Sequence, residues 1–124
     1  MVLRRYTTKT VTMTGATATS TIEAVRGHIK YIAIKPSGTS TNFRISCNKA
    51  GITEYIVGNS GALSVLAVGT IIYPKVAAQS INNINLATTG DIYKEITLLD
   101  EDVTIAVTNG ADTETFIVDI ITEE

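Results

Sequence analysis

The sequence predicts an all-β protein, a single-domain antiparallel β-sandwich of the jelly-roll or Greek-key type. Three observations carry that expectation. Threonine, isoleucine and valine dominate the chain, and β-branched side chains, stiff at χ1, suit a pleated and half-buried surface better than a helix. Short alternating runs are separated by turn-forming residues, and no stretch joins helical periodicity to helix caps. The connections vary in length, which suits a sandwich better than an up-and-down barrel. The 124 residues fit one domain spanning 1–124, with a short N-terminal arm of about residues 1–6. A chain of this length can bury a sufficient core without disulfide or metal staples.

Taken in order, "YTTKTVTM" places Val11 and Met13 on one face and Thr8, Thr10 and Thr12 on the other. "TIEAVRG" reads as a short strand or a single helical turn. "HIKYIAIK" opens on His28 and is apolar on both faces, with Tyr31 and Ala33 pointing one way and Ile32 and Ile34 the other. That pattern predicts a central strand covered on both sides, or one whose outer face meets another subunit. "NFRISCN" alternates, with Phe43, Ile45 and Cys47 facing in, and "KAG" is a tight turn into "ITEYIV". "GNSG" is a loop by composition.

A strand ends near Tyr73, and Pro74, which cannot donate to a ladder, belongs at an edge, a bend or a bulge. "QSINNINLATTGD" is polar and asparagine-rich, a long exposed connection that includes Asn82, Asn83 and Leu86, with room for a short strand at Asn83–Leu86. The next strand runs to about Leu98 and ends in an acidic turn, Asp100-Glu101-Asp102. The closing segment predicts a hairpin: Val103, Ile105 and Val107 face inward, Asn109-Gly110 turns the chain, and Phe116, Val118 and Ile120 return. The count is roughly seven to nine strands.

Net charge is −2 from 10 basic and 12 acidic residues, which gives no bulk drive toward nucleic acid; the Arg4-Arg5 pair reads as a solvated tail. The run Gly61–Tyr73 is too short to cross a bilayer, and "MVLRRYTTKT" lacks the apolar segment of a signal peptide. Synthesis in the cytosol is the expectation. One cysteine excludes an intramolecular disulfide, and Cys47 reads as a small buried hydrophobe.

The residue types argue against catalysis. His28 and Cys47 alone cannot furnish a typical zinc site, and a lone histidine excludes the two-histidine, one-carboxylate set of jelly-roll oxygenases. No nucleophile motif accompanies His28. "GNSGALS" lacks the lysine of a phosphate loop, and the acidic run lacks EF-hand spacing. Glu23, Glu54 and Glu95 carry no spacing that predicts a glycosidase pair. The expectation is a non-enzyme without cofactor or metal, and Tyr31, Tyr55, Tyr73 and Tyr93 read as core-edge or interface residues.

A family resemblance supplies the functional expectation. "GHIKYIAIKPSG" precedes "NFRIS", "IIYPKV" follows mid-chain, and "VTIAVTNGADTETFIVDI" closes the sequence. This order resembles small β-sandwich virion proteins of tailed bacteriophages, of the head or decoration type. Those chains carry a G-H-I strand, an F-x-I strand, a Y-P element and a closing N-G-G/A-D segment. The likeness covers Gly27 to Ile120 in patches; the threonine-rich N-terminus and "QSINNINLATTGD" fall outside it.

The resemblance implies a virion location, a homo-oligomer, and a capsid decoration or stabilising role through binding the major capsid protein or a neighbouring virion protein. It implies no catalytic residue, and no nucleic-acid or membrane partner is expected. The alternative is a carbohydrate- or receptor-binding module of a fibre, turret or spike. The expected contacts are Arg4, Arg5 and Tyr6 on the N-terminal arm, the Tyr73–Pro74 bend, and the Asn82–Leu86 loop with Asn83.

Overall fold

The computed structural model describes residues 2–37, 41–57, 64–66, 70–77, 93–108 and 110–124. It is an all-β, single-domain, sandwich-like antiparallel fold. The strands are β1 (Leu3–Thr7), β2 (Val11–Thr12), β3 (Ala18–Pro36), β4 (Thr41–Lys49), β5 (Ile52–Val57), β6 (Ser64–Leu66), β7 (Thr70–Ile72), β8 (Lys75–Ala77), β9 (Tyr93–Glu95), β10 (Thr97–Thr108) and β11 (Thr115–Glu123). Nine form one sheet along the path β1-β11-β3-β10-β4-β5, with β2, β6 and β7 added on β11, β4 and β3; β8 and β9 pair separately.

The 19-residue β3 organises the molecule. Its first half, Ala18 to His28, pairs with β10, and its second half, His28 to Pro36, pairs with β11. Irregularities crowd the changeover. Ala24 and Gly27 take φ of 52° and 106°, Asp100 on the facing strand takes 66°, and the register slips twice against β10 and once against β11. Bulges bend a strand and increase its twist, so β3 leaves one layer and enters the other.

The bulges also reset which residues face inward. Ile22, Val25, Ile29, Ile32 and Ile34 are all buried, a spacing of three, four, three and two. The first three intervals mimic a helical stripe, which is why "TIEAVRG" reads as either strand or helical turn. The structure makes it strand. His28 does not open a strand; it lies inside β3 at the changeover.

Both halves of the sheet point fully buried side chains inward. Ile32, Ile34, Val118 and Ile120 come from one half, and Phe43, Ile45, Val103 and Ile105 from the other. No helix is present among the described residues to cover either set, so each half covers the other. The Phe43 and Phe116 rings meet edge to face with centroids 5.6 Å apart. In the hydrogen-bonded order β4 and β11 are three strand spacings apart, about 14 Å in a flat sheet, and folding the sheet closes that distance. Phe43, Ile45 and Cys47 face the core as the alternation predicted, and so do Val103, Ile105, Val107, Phe116, Val118 and Ile120.

The predicted "KAG" turn is present. Lys49 pairs with Ile52, and Ala50 and Gly51 both have positive φ, 53° and 82°, as a two-residue type I′ hairpin requires. The Asn48 Oδ1 accepts the Gly51 N–H at 2.9 Å.

Three further expectations are corrected. The closing segment is not a hairpin: β10 and β11 lie on either side of β3, and the chain between them crosses from one layer to the other. The alternation was right, but alternation cannot tell a partner in the same layer from one across the core. Asp100-Glu101-Asp102 is not a turn that begins a new strand. It lies within β10 as a bulged stretch, where the Asp102 Oδ1 accepts the Ala24 N–H at 3.1 Å. Thr8 does not face outward; it is 6% exposed. Its N–H donates to the Val118 carbonyl at 3.0 Å, and its Oγ1 accepts the Val118 N–H at 2.9 Å. That pair of bonds bridges the gap between β1 and β2 along β11. The "GNSG" loop, Asn109 and all of "QSINNINLATTGD" lie outside the described residues.

Gly27 is the tightest point of the bend. A Cβ there would sit 2.9 Å from the Glu123 carbonyl oxygen and 3.1 Å from the Thr122 Oγ1, whereas Gly15, also at positive φ, has nothing within 4 Å. Gly27→Ala is expected to cost about 3 kcal/mol, and Gly15→Ala about 1 kcal/mol, measured by urea unfolding. Phe43→Ala and Phe116→Ala should each cost about 3–5 kcal/mol. Their double-mutant cycle should return a coupling of about 1 kcal/mol; strictly additive losses would mean that the rings do not join the two layers.

Candidate functional site

Residues directly opposite in an antiparallel ladder point to the same side, so the register defines the outer face of the β7-β3-β11-β1 layer. One row across it is Thr7, Asp119, Ala33 and Ile71. The next is Arg5, Ile121 and Tyr31, extended by Tyr73, whose ring lies 6.2 Å from that of Tyr31. Leu3 and Glu123 continue the face at one end, and Ile117 and Lys35 at the other.

This surface is unusually apolar for a solvated sheet face. Leu3, Ile71 and Tyr73 are 60%, 54% and 67% exposed, and Tyr31, Ala33, Ile117 and Ile121 are half-buried between them. The opposite face of the same strands is already committed to the core, so these side chains have no neighbouring layer. The sequence signal for this was the two-sided apolar character of "HIKYIAIK". The structure gives its meaning: Ile32 and Ile34 are core, while Tyr31 and Ala33 lie on the outer face.

A charged knot sits within this surface. The Asp119 Oδ2 accepts from the Arg5 guanidinium at 2.7 Å and from the Lys35 ammonium at 2.8 Å. Asp119 is only 4% exposed, and its Oδ1 is buried without a hydrogen bond of good geometry. Burial alone would raise this carboxyl. The polar contacts from Lys35, Thr7 and Arg5 outweigh it and hold the group down at about 2, below its ordinary 3.8. Salt-bridge geometry thus pins the N-terminal strand to β11 from the outer side, while Tyr6 packs against the core from the inner side.

The predicted contact residues separate accordingly. Arg5 and Tyr73 lie on the outer face. Arg4 instead pairs with Glu124 at 2.8 Å, and Glu124 also meets Arg26 at 3.1 Å, at the far end of the layer. Pro74 is buried between β7 and β8. The arm is a sheet-edge strand from Leu3 onward. Asn82, Asn83 and Leu86 lie outside the described residues. Sequence reading missed Leu3, Ile71, Ile117 and Ile121, because each sits in an ordinary alternating run, and missed Asp119, because its two cations come from distant parts of the chain.

Glu54, Glu95, Asp100 and Asp102 are engaged separately. Glu54 pairs with Lys49, Glu95 with Lys30, and Asp100 with Arg26. Asp102 is engaged by the bulge. No group of three or more metal-ligating side chains occurs among the described residues. The His28 Nδ1 shares a 2.7 Å hydrogen bond with the Thr97 hydroxyl. Cys47 is buried; burial first, then the nearby Glu54 carboxylate, push its thiol up to about 11. No helix among the described residues is long and apolar enough to cross a membrane. No family model matches the chain, and no curated protein or solved structure matches it.

Two measurements test this description. Asp119 has a depressed folded pKa, so its contribution is present above about pH 4 and is lost as pH falls through about 2. Asp119→Asn should lower unfolding stability by about 2 kcal/mol at pH 7 and by little at pH 2, read from urea titrations at both pH values. Cys47 should resist iodoacetamide at pH 8 in the folded protein and alkylate once urea unfolds it, as mass spectrometry would report.

Proposed function

We propose that this chain is a non-enzymatic structural protein of a tailed-bacteriophage virion, decorating or stabilising the capsid by docking on the major capsid protein. The observation that carries the reading is the outer face of β7-β3-β11-β1. A rigid sheet presents Leu3, Ile71, Tyr73 and Tyr31 to solvent, with an ion network of Asp119, Arg5 and Lys35 among them that carries one net positive charge. Exposed apolar and aromatic clusters with polar rims are a feature of protein contact surfaces. A stable contact needs about 800 Å² from each partner, and a four-strand face is of the right order.

The sequence resemblance supports the same reading, and the symmetry of a capsid lattice would favour an oligomer. The virion is the location that follows. A second reading, a glycan- or receptor-binding module, draws on the Tyr31–Tyr73 ring pair beside Arg5 and Asp119, since an aromatic surface next to charged hydrogen-bonding groups can also hold a sugar.

Mass spectrometry of purified particles of the phage that encodes the chain should find it in fixed stoichiometry with the capsid subunit. Its absence from the particles would overturn the proposal. Ile71→Asp combined with Tyr73→Ser should lower particle occupancy about tenfold or more, with the thermal midpoint unchanged. Glycan-array binding that the same pair of substitutions abolishes, with particle occupancy intact, would favour the second reading.

A further inference from the structure

Among the described residues, one edge of the interior strand β3 is left open over its first half. From Ala18 to Val25, β3 pairs with β10 alone. β11 joins β3 only from His28 onward, and β7 lies farther along, at Ile32–Ile34. The other edge of Thr19–Glu23 therefore carries no strand among the described residues. Backbone N–H and C=O groups of alternate residues point out of such an edge, and an unpaired row of them is a template for another extended chain.

The edge is recessed. It forms one wall, Ser20–Glu23, of a cleft of about 400 Å³ whose opposite wall is the break between β1 and β2, from Thr7 to Val11. That break exists because Thr8 turns inward to bond Val118. Val11 and Ile22 give the cleft apolar surface, Thr7 and Thr21 give it hydroxyls, and Lys9 and Glu23 set one charge of each sign on opposite walls.

The two kinds of edge are treated differently by the sequence. On β1, Arg4 and Arg5 guard the outermost edge, and self-pairing there would bring like charges together. Thr19 to Ile22 carries no charge. A single extended segment can enter. Only polypeptide offers donors and acceptors at the repeat of a strand edge.

We infer that the open edge of β3 is a strand-addition site, and that its occupant is an extended segment of the major capsid protein. The segment pairs along Thr19–Glu23, turns a small apolar side chain toward Val11 and Ile22, and sets an acidic residue near Lys9 and a basic one near Glu23. This rests on the virion reading above, but it uses a different surface.

The test is binding of the full chain to overlapping peptides that tile the major capsid protein encoded with it, followed by hydrogen exchange. One peptide should bind and slow amide exchange in Thr19–Glu23. Thr21→Lys, an exposed substitution that gives this edge the guard β1 has, should weaken that peptide about tenfold without moving the thermal midpoint. Tyr73→Ser should leave peptide affinity unchanged. Absence of a binding peptide, protection at another edge, or indifference to Thr21→Lys would overturn the inference. Concentration-dependent dimerisation abolished by Thr21→Lys would also overturn it and assign the edge to a second copy. Particles that carry the chain while no peptide protects β3 would remove this site and leave the proposed function standing. Particles that lack the chain would remove the function, and a peptide result is judged on the exchange data alone.

Discussion

The contact of Gly27 with the β11 backbone sets the path of the longest strand, and the other strands follow from it. At that point β3 must shed β10 and accept β11 without breaking the ladder. A left-handed residue without a Cβ lets the Glu123 carbonyl come close, and bulges on either side supply the change of direction. Were β3 straight, β10 and β11 would line one flat sheet whose apolar face had nothing to cover it. Because it bends, the sheet folds onto itself, and Phe43 reaches Phe116 across the core.

The same bend explains what is left exposed. A sheet folded on itself has two inner faces, which bury each other, and two outer ones. The outer face of the β11 layer carries Leu3, Ile71, Tyr73 and Ile121 because its strands are apolar on both sides, and only one side could be used for the core. Asp119 and its two cations hold the edge strand there. This arrangement gives the molecule a firm exterior with hydrophobic character. A stable scaffold that presents surface, rather than a cleft that reshapes a substrate, is the physical basis of the virion proposal.

The open edge of β3 has the same origin. Bending moves β11 away from the first half of β3, and β1 and β2 follow β11 into the other layer. The first half of β3 is left paired on one side only. Thr8 then shapes the wall opposite by replacing a strand residue with a side-chain bond. Edge and cleft are thus by-products of the changeover, held open by ordinary backbone geometry.

Alternation was enough to assign β structure and most of the core, since a strand with one buried face repeats every two residues: Phe43, Ile45 and Cys47, and then Val103 to Val107, were legible for that reason. Local turn chemistry was enough for Ala50-Gly51, where two positive φ values and a two-residue loop close a hairpin. Whether β10 and β11 pair with each other or across the core depends on β3, a long-range relation that no local pattern encodes. The outward set of Leu3, Ile71, Tyr73 and Ile121 comes from three separate runs, and Asp119 meets Arg5 near the other end of the chain and Lys35 from the second half of β3. Those groupings exist only after the ladder registers are set and the sheet is folded. Hydrophobic periodicity is a property of neighbours in sequence, whereas a surface is a property of neighbours in space.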